Sequence, residues 1–414
     1  MRILHLSSYD QLGGAAKAAY RLHSALVEAG EDSLMLVRRK DSTRADVLGP
    51  AGLKQRLWSK LQRRVEKLLV APRTSGEFSV GSMADGLAGR IRELRPDIVH
   101  VHWVAHGFLR LETLAALGVP VVWTMHDMWP FTGGCHYSGS CTQYSADCGR
   151  CPLLAGGQEN DASRQGVIRR KNLLRNAEIQ FVAPSQWLAD CARASTVLAT
   201  ADVRVIPNVL DVNRFSPRNR AEMRRRFGLP EEGRMLLAGA MAMDAGSRKG
   251  GQDFYDAAAC MTKRHEDHGP VYFAVFGTRL RQRVVRDGMT IYELGYIEGE
   301  SAMADVYAAA DIFVIPSQQD NLPNTAMEAL AVGTPVVGYR VGGIPDMVQD
   351  GVNGLLAAPG DVAGLARAMA LLLNDPVLWA ACSGAARESV VRRYSPQVVT
   401  SAYRALYSEC GGRT

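Results

Sequence analysis

SQQDNLPNTAMEALAVGTPVV, residues 317–337, joins the end of one strand, a polar turn, a helix and the start of another strand. The run before it, DIFVIPS at 311–317, is apolar enough for a strand buried on both faces of a parallel sheet. Pro323 stands where a new helix begins, because its fixed φ and missing N–H suit a first helical turn. The spacing therefore predicts a helix over 324–332 that starts at the carboxyl edge of a sheet. Its first amides lack partners within the helix and carry the positive end of the dipole, so Asn324 and Thr325 become candidates to meet a phosphate. Glu328 falls one turn further in, with Asp320 eight positions before it. Taken alone, that pair reads as a helix cap at Asp320 and a solvated helix residue at Glu328.

The continuation, AVGTPVVGYRVGGIPDMVQDGVNGLL, changes this reading. With the acid pair it resembles the retaining glycosyltransferases of family 4, residue type by residue type, including at Gly342, Gly343, Pro345, Gly351 and Gly354. The resemblance implies an α/β chain of GT-B fold, with two Rossmann-like doubly wound parallel-sheet domains facing a cleft. It also implies transfer of a hexose from a nucleotide-diphosphate sugar. In that family two glutamates flank seven residues: the second holds the ribose and the first lies by the transferred sugar. Glu328 takes the ribose place, whereas the first glutamate is shortened here to Asp320, and Asp346 stands where the family has Glu after GGIP.

A chain of 414 residues is too long for one ordinary core and points to two domains of about 200 residues each. Hydrophobic content of 47% with 22% charged residues describes a globular protein. MRILHLSSYD at the start has an apolar run too short for a signal peptide and reads as a first strand. No uninterrupted apolar stretch approaches the roughly 20 residues of a membrane span, so a cytoplasmic location is expected. The formal charge of +6 is unevenly spread. GLKQRLWSKLQRRVEKLLVAPR, 52–73, sets seven cations against one acid beside an apolar stripe at helical spacing. Such a helix fits either an anionic membrane surface or an ordinary packed face. Without an aromatic stacking pattern or a recognised module, no nucleic-acid partner is expected.

The first half alternates strands and helices. RILHLSS, SLMLVRR, PDIVHVHW and PVVWTMHD are apolar runs ending in polar or aromatic residues, the pattern of a doubly wound sheet that binds ligands beyond its carboxyl edge. The candidates at those edges are Tyr9, Asp10, His102, Trp103, His126 and Asp127. Gly13 and Gly14 follow the first strand, and a backbone without side chains can approach a phosphate or sugar closely. They lack the full dinucleotide fingerprint. The resemblance places Gly14 at the diphosphate or sugar, and His126, the first residue of the family's HD pair, at the sugar near its reacting carbon.

MWPFTGGCHYSGSCTQYSADCGRCPLL follows at once, with Cys135, Cys141, Cys148 and Cys151 inside 17 residues. Close cysteines in a cytoplasmic chain favour a metal over disulfides, and four thiolates suit a structural zinc. Free thiols, disulfides and an iron–sulfur cluster remain open, and His136 can replace one sulfur. The insert, 133–154, resembles one in a bacterial subset of family 4 that assembles exopolysaccharides of the colanic-acid type.

VRVIPNVLDVNRFSP resembles the family's interdomain linker, which places the domains at 1–208 and 209–389, with 390–414 crossing back as a terminal helix. Val209 stands where the family has glycine. In the second half RMLLAGAM reads as a first strand, and Lys249-Gly250 matches the family's cation for the donor diphosphate. The family's strand-end arginine is absent, and Arg248 is the candidate to replace it. Tyr296 follows a strand whose end covers the nucleotide base in relatives. These cations and the helix start make a catalytic metal unnecessary, and the resemblance implies retention by front-face displacement. The expected donor is a UDP- or GDP-sugar and the acceptor a glycan or lipid-linked glycan. A nucleotide-sugar epimerase of this fold and an inactive nucleotide-sugar-binding protein are the alternatives.

Overall fold

The computed structural model describes residues 1–50, 76–81, 85–175, 177–239, 248–262 and 269–412. The chain divides into two compact units, Met1–Val209 with Val399–Thr414, and Leu210–Val398. The basic helix expected over 52–73 lies outside the described residues.

The first unit is built on β1 (Arg2–Tyr9), β2 (Asp32–Arg39), β3 (Val47–Leu48), β4 (Ile98–Val101), β5 (Val121–Thr124), β6 (Ile179–Ala183) and β7 (Val203–Val205). Their order is β3-β2-β1-β4-β5-β6-β7, and every pairing is parallel. Alternate residues leave opposite faces of each strand. Leu4, Leu6, Val99, Val101, Val121 and Trp123 enter one core. Ile3, Ile98, Val122 and Val182 enter another, which the terminal helix Pro396–Gly411 covers with Val399, Tyr403, Leu406 and Tyr407. Covering on both faces is why these strands read as apolar runs rather than alternating ones.

One expectation needs correction. The segment assigned wholly to a linker begins as strand β7, because β6 offers its ladder to Val203, Arg204 and Val205 and the Val203 side chain is buried. Val209 is buried and is not among the residues at positive φ, so this turn follows a path that does not need the family's glycine.

The second unit contains β8 (Arg234–Gly239), β9 (Val271–Phe276), β10 (Arg281–Arg286), β11 (Met289–Leu294), β12 (Ile312–Ile315), β13 (Val336–Tyr339) and β14 (Gly354–Ala357). The order is β10-β11-β9-β8-β12-β13-β14, parallel except for the hairpin β10–β11. Asp287 and Gly288 both take positive φ in that hairpin's turn, the pairing a two-residue connection of matching twist requires. In both sheets the strand order reverses direction at one place, between β1 and β4 and between β8 and β12. Ligands of open parallel sheets bind outside the carboxyl ends of the strands at such a point.

Candidate active site

At the second unit's switch point, β12 ends at Ile315 and the chain turns through Ser317–Pro323 into the helix Asn324–Ala331. Pro323 is the N-cap rather than the first helical residue, at φ −66° and ψ 115°, and no side chain caps this end. Beside it lies the turn carrying Arg248 and Lys249. Gly250 allows that approach: at φ +67°, an added Cβ would stand 1.9 Å from the Pro316 carbonyl oxygen. Gly342 does the same on the other side, where a Cβ would meet the Asp320 carbonyl oxygen at 1.9 Å. Its neighbour Gly343 donates its N–H to that oxygen at 3.0 Å.

These contacts bring the cations onto Asp320. Lys249 Nζ lies 2.5 Å from Asp320 Oδ2, and Arg248 Nη1 lies 3.6 Å from Oδ1 while donating to the Gln319 carbonyl at 3.0 Å. Burial alone would raise the Asp320 carboxyl, but Lys249 and then Arg248 outweigh it and hold it below the usual range. Asp320 is therefore the counterion that fixes Lys249 in position. Glu328 is 6% exposed and accepts from the Tyr307 hydroxyl at 3.0 Å. Tyr307 comes from the helix Glu300–Ala309, packed edge-to-face on Phe276 and Phe313. Tyr296, by contrast, is 64% exposed just past β11. Residues 240–247, where the family's strand-end arginine would stand, lie outside the described residues.

In the first unit a row of imidazoles runs from the middle of β1 through β4 to the residues just past β5. Register explains it: His5 pairs with His100 across β1–β4, and His102 leaves β4 on the same side two residues later. His5 Nδ1 and His102 Nε2 are 2.9 Å apart, and His102 Nδ1 lies 3.1 Å from His126 Nε2. His100 is bonded through Nδ1 to the Tyr407 hydroxyl at 2.7 Å and through Nε2 to the Thr124 hydroxyl at 2.7 Å. Burial depresses all four: His126 to about 4, the other three well below the ordinary histidine value. They are neutral at neutral pH. His5 Nε2 is buried without a partner. An unpaired acceptor is tolerated better than an unpaired donor, so the protons run from His5 Nδ1 to His102 and from His102 Nδ1 to His126 Nε2. That direction leaves the His126 proton on Nδ1. His5, His100 and His102 also offer ring nitrogens within 4.8 Å of one another, but a metal there would have to break these bonds.

Asp127, next to His126, is held from three sides. Its Oδ2 accepts from the Trp103 indole at 2.8 Å and lies 2.7 Å from His136 Nδ1, while Oδ1 accepts from the Trp129 N–H at 2.9 Å. His136 belongs to the cysteine insert, so the insert grips the HD pair. The side chains of Cys135, Cys141, Cys148 and Cys151 line one small cavity together with Phe78 and Tyr144, and none is in a disulfide. Gly13, at φ +92°, leads into the helix Gly14–Glu28 after β1. Asp10 faces inward and accepts from the backbone N–H groups of Asp41 and Ser42, which makes it a brace for that loop.

Within the second unit, then, Arg248, Lys249 and Asp320 meet at the start of the helix that carries Asn324, Thr325 and Glu328. Within the first, His126 and Asp127 meet the insert. Sequence reasoning missed Tyr307, His5 and Arg170, a buried arginine from the helix Ala162–Leu174. His5 was findable, since HLSS in β1 matches HVHW in β4 in apolar pattern.

A family model described as Glycosyltransferase Family 4 matches residues 12–214, and one described as Glycosyl transferases group 1 matches residues 232–375. The chain belongs to glycosyltransferase family 4. Among curated relatives, glycogen synthase of Mycobacterium tuberculosis is 26% identical, over 98% of this chain and 94% of its own length. Among solved structures, sucrose-phosphate synthase from Thermosynechococcus elongatus superposes with a TM-score of 0.72 at 19% identity, covering all of both chains. Anabaena HepE, solved with UDP and glucose, gives 0.65 at 16% identity over 99% of this chain and 100% of its own. The enzyme therefore has the two-domain GT-B fold and is a glycosyltransferase. Among the described residues no single helix is long and apolar enough to cross a membrane.

Proposed function

We propose that the enzyme transfers a hexose, with retention of configuration, from a UDP- or GDP-sugar to a glycan or lipid-linked acceptor. Its setting would be bacterial surface polysaccharide synthesis on the cytoplasmic side of the membrane. The observation that carries this reading is the convergence of Lys249 and Arg248 on Asp320 at an N-terminal helix turn, with a braced carboxylate one turn inside. Two cations and a helix start suit a leaving diphosphate, whose charge grows as its bond to the sugar breaks. Glu328 would accept from the ribose hydroxyls, Tyr296 would lie against the base, and Asn324 and Thr325 would turn their backbone toward a phosphate. The backbone at Gly13 and Gly14 would lie against the donor, and His126 would hydrogen-bond its sugar.

Retention needs no protein nucleophile in this scheme. The bond from the anomeric carbon to the phosphate oxygen breaks, the acceptor oxygen bonds on the same face, and the departing phosphate takes the acceptor's proton. Relatives named for glycogen and sucrose-phosphate synthesis, and a fold neighbour solved with UDP and glucose, support the substrate class. The test is release of nucleoside diphosphate from a panel of UDP- and GDP-sugars with and without lipid-linked acceptors, with the product anomer read by NMR. Release that depends on an acceptor is expected. Sugar interconversion without acceptor, or binding without release, would overturn the reading.

A further inference from the structure

The four insert cysteines and a buried arginine raise a charge question that sugar transfer does not answer. Cys135, Cys141, Cys148 and Cys151 are among the residues lining a cavity of about 20 Å³, the size of one ion or water rather than a ligand pocket. Although the group already at metal-ligand spacing among the described residues is His5, His100 and His102, these four cysteines of an irregular loop share one cavity, where an ion would draw their sulfurs together. The backbone is shaped to bring them there. Cys148, Gly149 and Arg150 take φ values of 54°, 100° and 47°, a tight turn of left-handed residues that costs energy at the two that are not glycine. The Cys151 N–H donates to Asp161 Oδ2 at 2.7 Å and the Cys151 carbonyl accepts from the Leu154 N–H at 3.1 Å, which fixes the last cysteine of the insert.

Arg170 is the second, independent observation. Its side chain is fully buried, yet Nε and Nη2 have no hydrogen-bond partner, and Nη1 reaches only the Gly166 carbonyl at 3.2 Å. It lies 4.9 Å over the Trp129 ring, and its helix reaches the cysteine cavity through Ser163 and through Gly133, on whose carbonyl Gly166 packs. Among the described residues no carboxylate pairs with it. A buried guanidinium without an anion is expensive, and neutral thiols do not supply one. A divalent ion held by four thiolates carries a net charge of two minus, and so supplies it.

We propose that Cys135, Cys141, Cys148 and Cys151 bind one Zn²⁺ as a closed tetrathiolate site, with Arg170 as its buried counter-cation. Binding forms four Zn–S bonds and releases the four thiol protons to solvent, with no change of oxidation state. The site is structural, having no open position for water or substrate. Its reach into the reaction is positional. Cys135 adjoins His136, whose ring holds Asp127 and whose carbonyl accepts from the Met128 N–H at 2.9 Å, so the metal knuckle clamps the loop that carries His126.

Elemental analysis of full-length protein, made in zinc-supplemented medium and purified without chelator, is the primary test. One zinc per chain is expected, falling at least tenfold in C141S and C148S. Zinc far below stoichiometry would overturn the proposal, as would a mass four hydrogens low from two disulfides, or iron with acid-labile sulfide. The arginine is tested by competition with a chromophoric zinc chelator. R170M is expected to hold zinc about 10–100-fold more weakly, the usual cost of losing a partner around a metal site. R170K should recover part of the loss. Affinity unchanged in both would remove Arg170 from the site while leaving the wild-type metal content to stand or fall alone.

Discussion

The two units carry opposite chemistries on similar sheets. In the first, His126, His102 and His5 are joined by imidazole hydrogen bonds and kept neutral by burial. In the second, Lys249 and Arg248 carry charge against Asp320, and Glu328 is held by a tyrosine. One fold pattern thus supports a neutral hydrogen-bonded row and an ionised cluster, because the side chains, not the sheet, set the local electrostatics. In the proposed reaction, oriented donors would suit an uncharged sugar and fixed cations a diphosphate.

The sharpest way to break that contrast is to remove the charge. K249M should lower kcat/KM for transfer by about 10²–10³-fold, the scale for losing one fixed group at developing charge. D320N should cost less, because the ammonium group remains in the site and a bound diphosphate can replace the lost counterion that offsets its burial. Steady-state kinetics of both variants and the double variant decide this. Equal losses in the two single variants would mean that Asp320 meets the reacting sugar itself, and the second unit's acids could not be described as braces for its cations.

E328Q comes next in size. A carboxylate accepting from hydroxyls contributes about 1.5–3 kcal/mol as a charged hydrogen bond, so calorimetry with UDP or GDP should show binding weakened by about 10–100-fold. The nucleotide alone is the right probe, since the effect should persist without the sugar. Binding equal to wild type would remove Glu328 from the ribose.

Much of this arrangement was legible before any coordinates, and the rest was hidden for physical reasons. Residues 317–337 announced strand, turn, helix and strand because parallel strands covered on both faces are apolar throughout. The hairpin strand β10 was not anticipated: RQRVVR is largely exposed and presents no apolar run, and its one signal was the Asp287-Gly288 turn. The three-residue strand β7 is too short to show a period. Lys249 and Glu328 were found as members of a motif, but their partners were not. Asp320 as the counterion of Lys249, and Tyr307 as the donor to Glu328, are contacts across 71 and 21 positions that depend on how elements pack. The histidine row needed the β1–β4 register, which places His5 opposite His100 and cannot be read from either strand alone.

Acid should separate the two units. An unfolded histidine titrates near 6.5. Burial holds His23 and His126 near 4 in the folded chain, and His5, His100 and His102 lower still. Between those values the unfolded chain binds more protons, so this stability is complete above about pH 6.5 and is lost as pH falls toward 4 and below. Asp320 is held below the ordinary carboxylate value, so its contribution survives until the pH passes under that value. Five of the six tryptophans lie within 1–209 and the sixth is Trp379, so tryptophan emission reports chiefly on the first unit. Its melting midpoint should drop on acidification from pH 6.5 to pH 4.5, by about 2–4 °C for each kcal/mol lost. A midpoint flat across that window would show that the imidazoles are not held neutral.

The smallest effect expected is also the most selective. Tyr307 is fully buried, and its ring packs edge-to-face on Phe276 and Phe313, contacts that phenylalanine keeps. Y307F therefore removes the hydroxyl's bond to Glu328 while keeping the ring in its packing. A neutral donor to a carboxylate that can rotate away contributes about 0.5–1.5 kcal/mol, so the donor KM should rise about 2–10-fold with kcat nearly unchanged. The melting temperature should move by no more than a few degrees. The pair of variants carries the argument: Y307F added to E328Q should cost nothing further in nucleotide binding, because the hydroxyl acts only through the carboxylate it orients. Full additivity would mean that Tyr307 supports the site by another route, and that the braced carboxylate distinguishing this unit is braced from elsewhere.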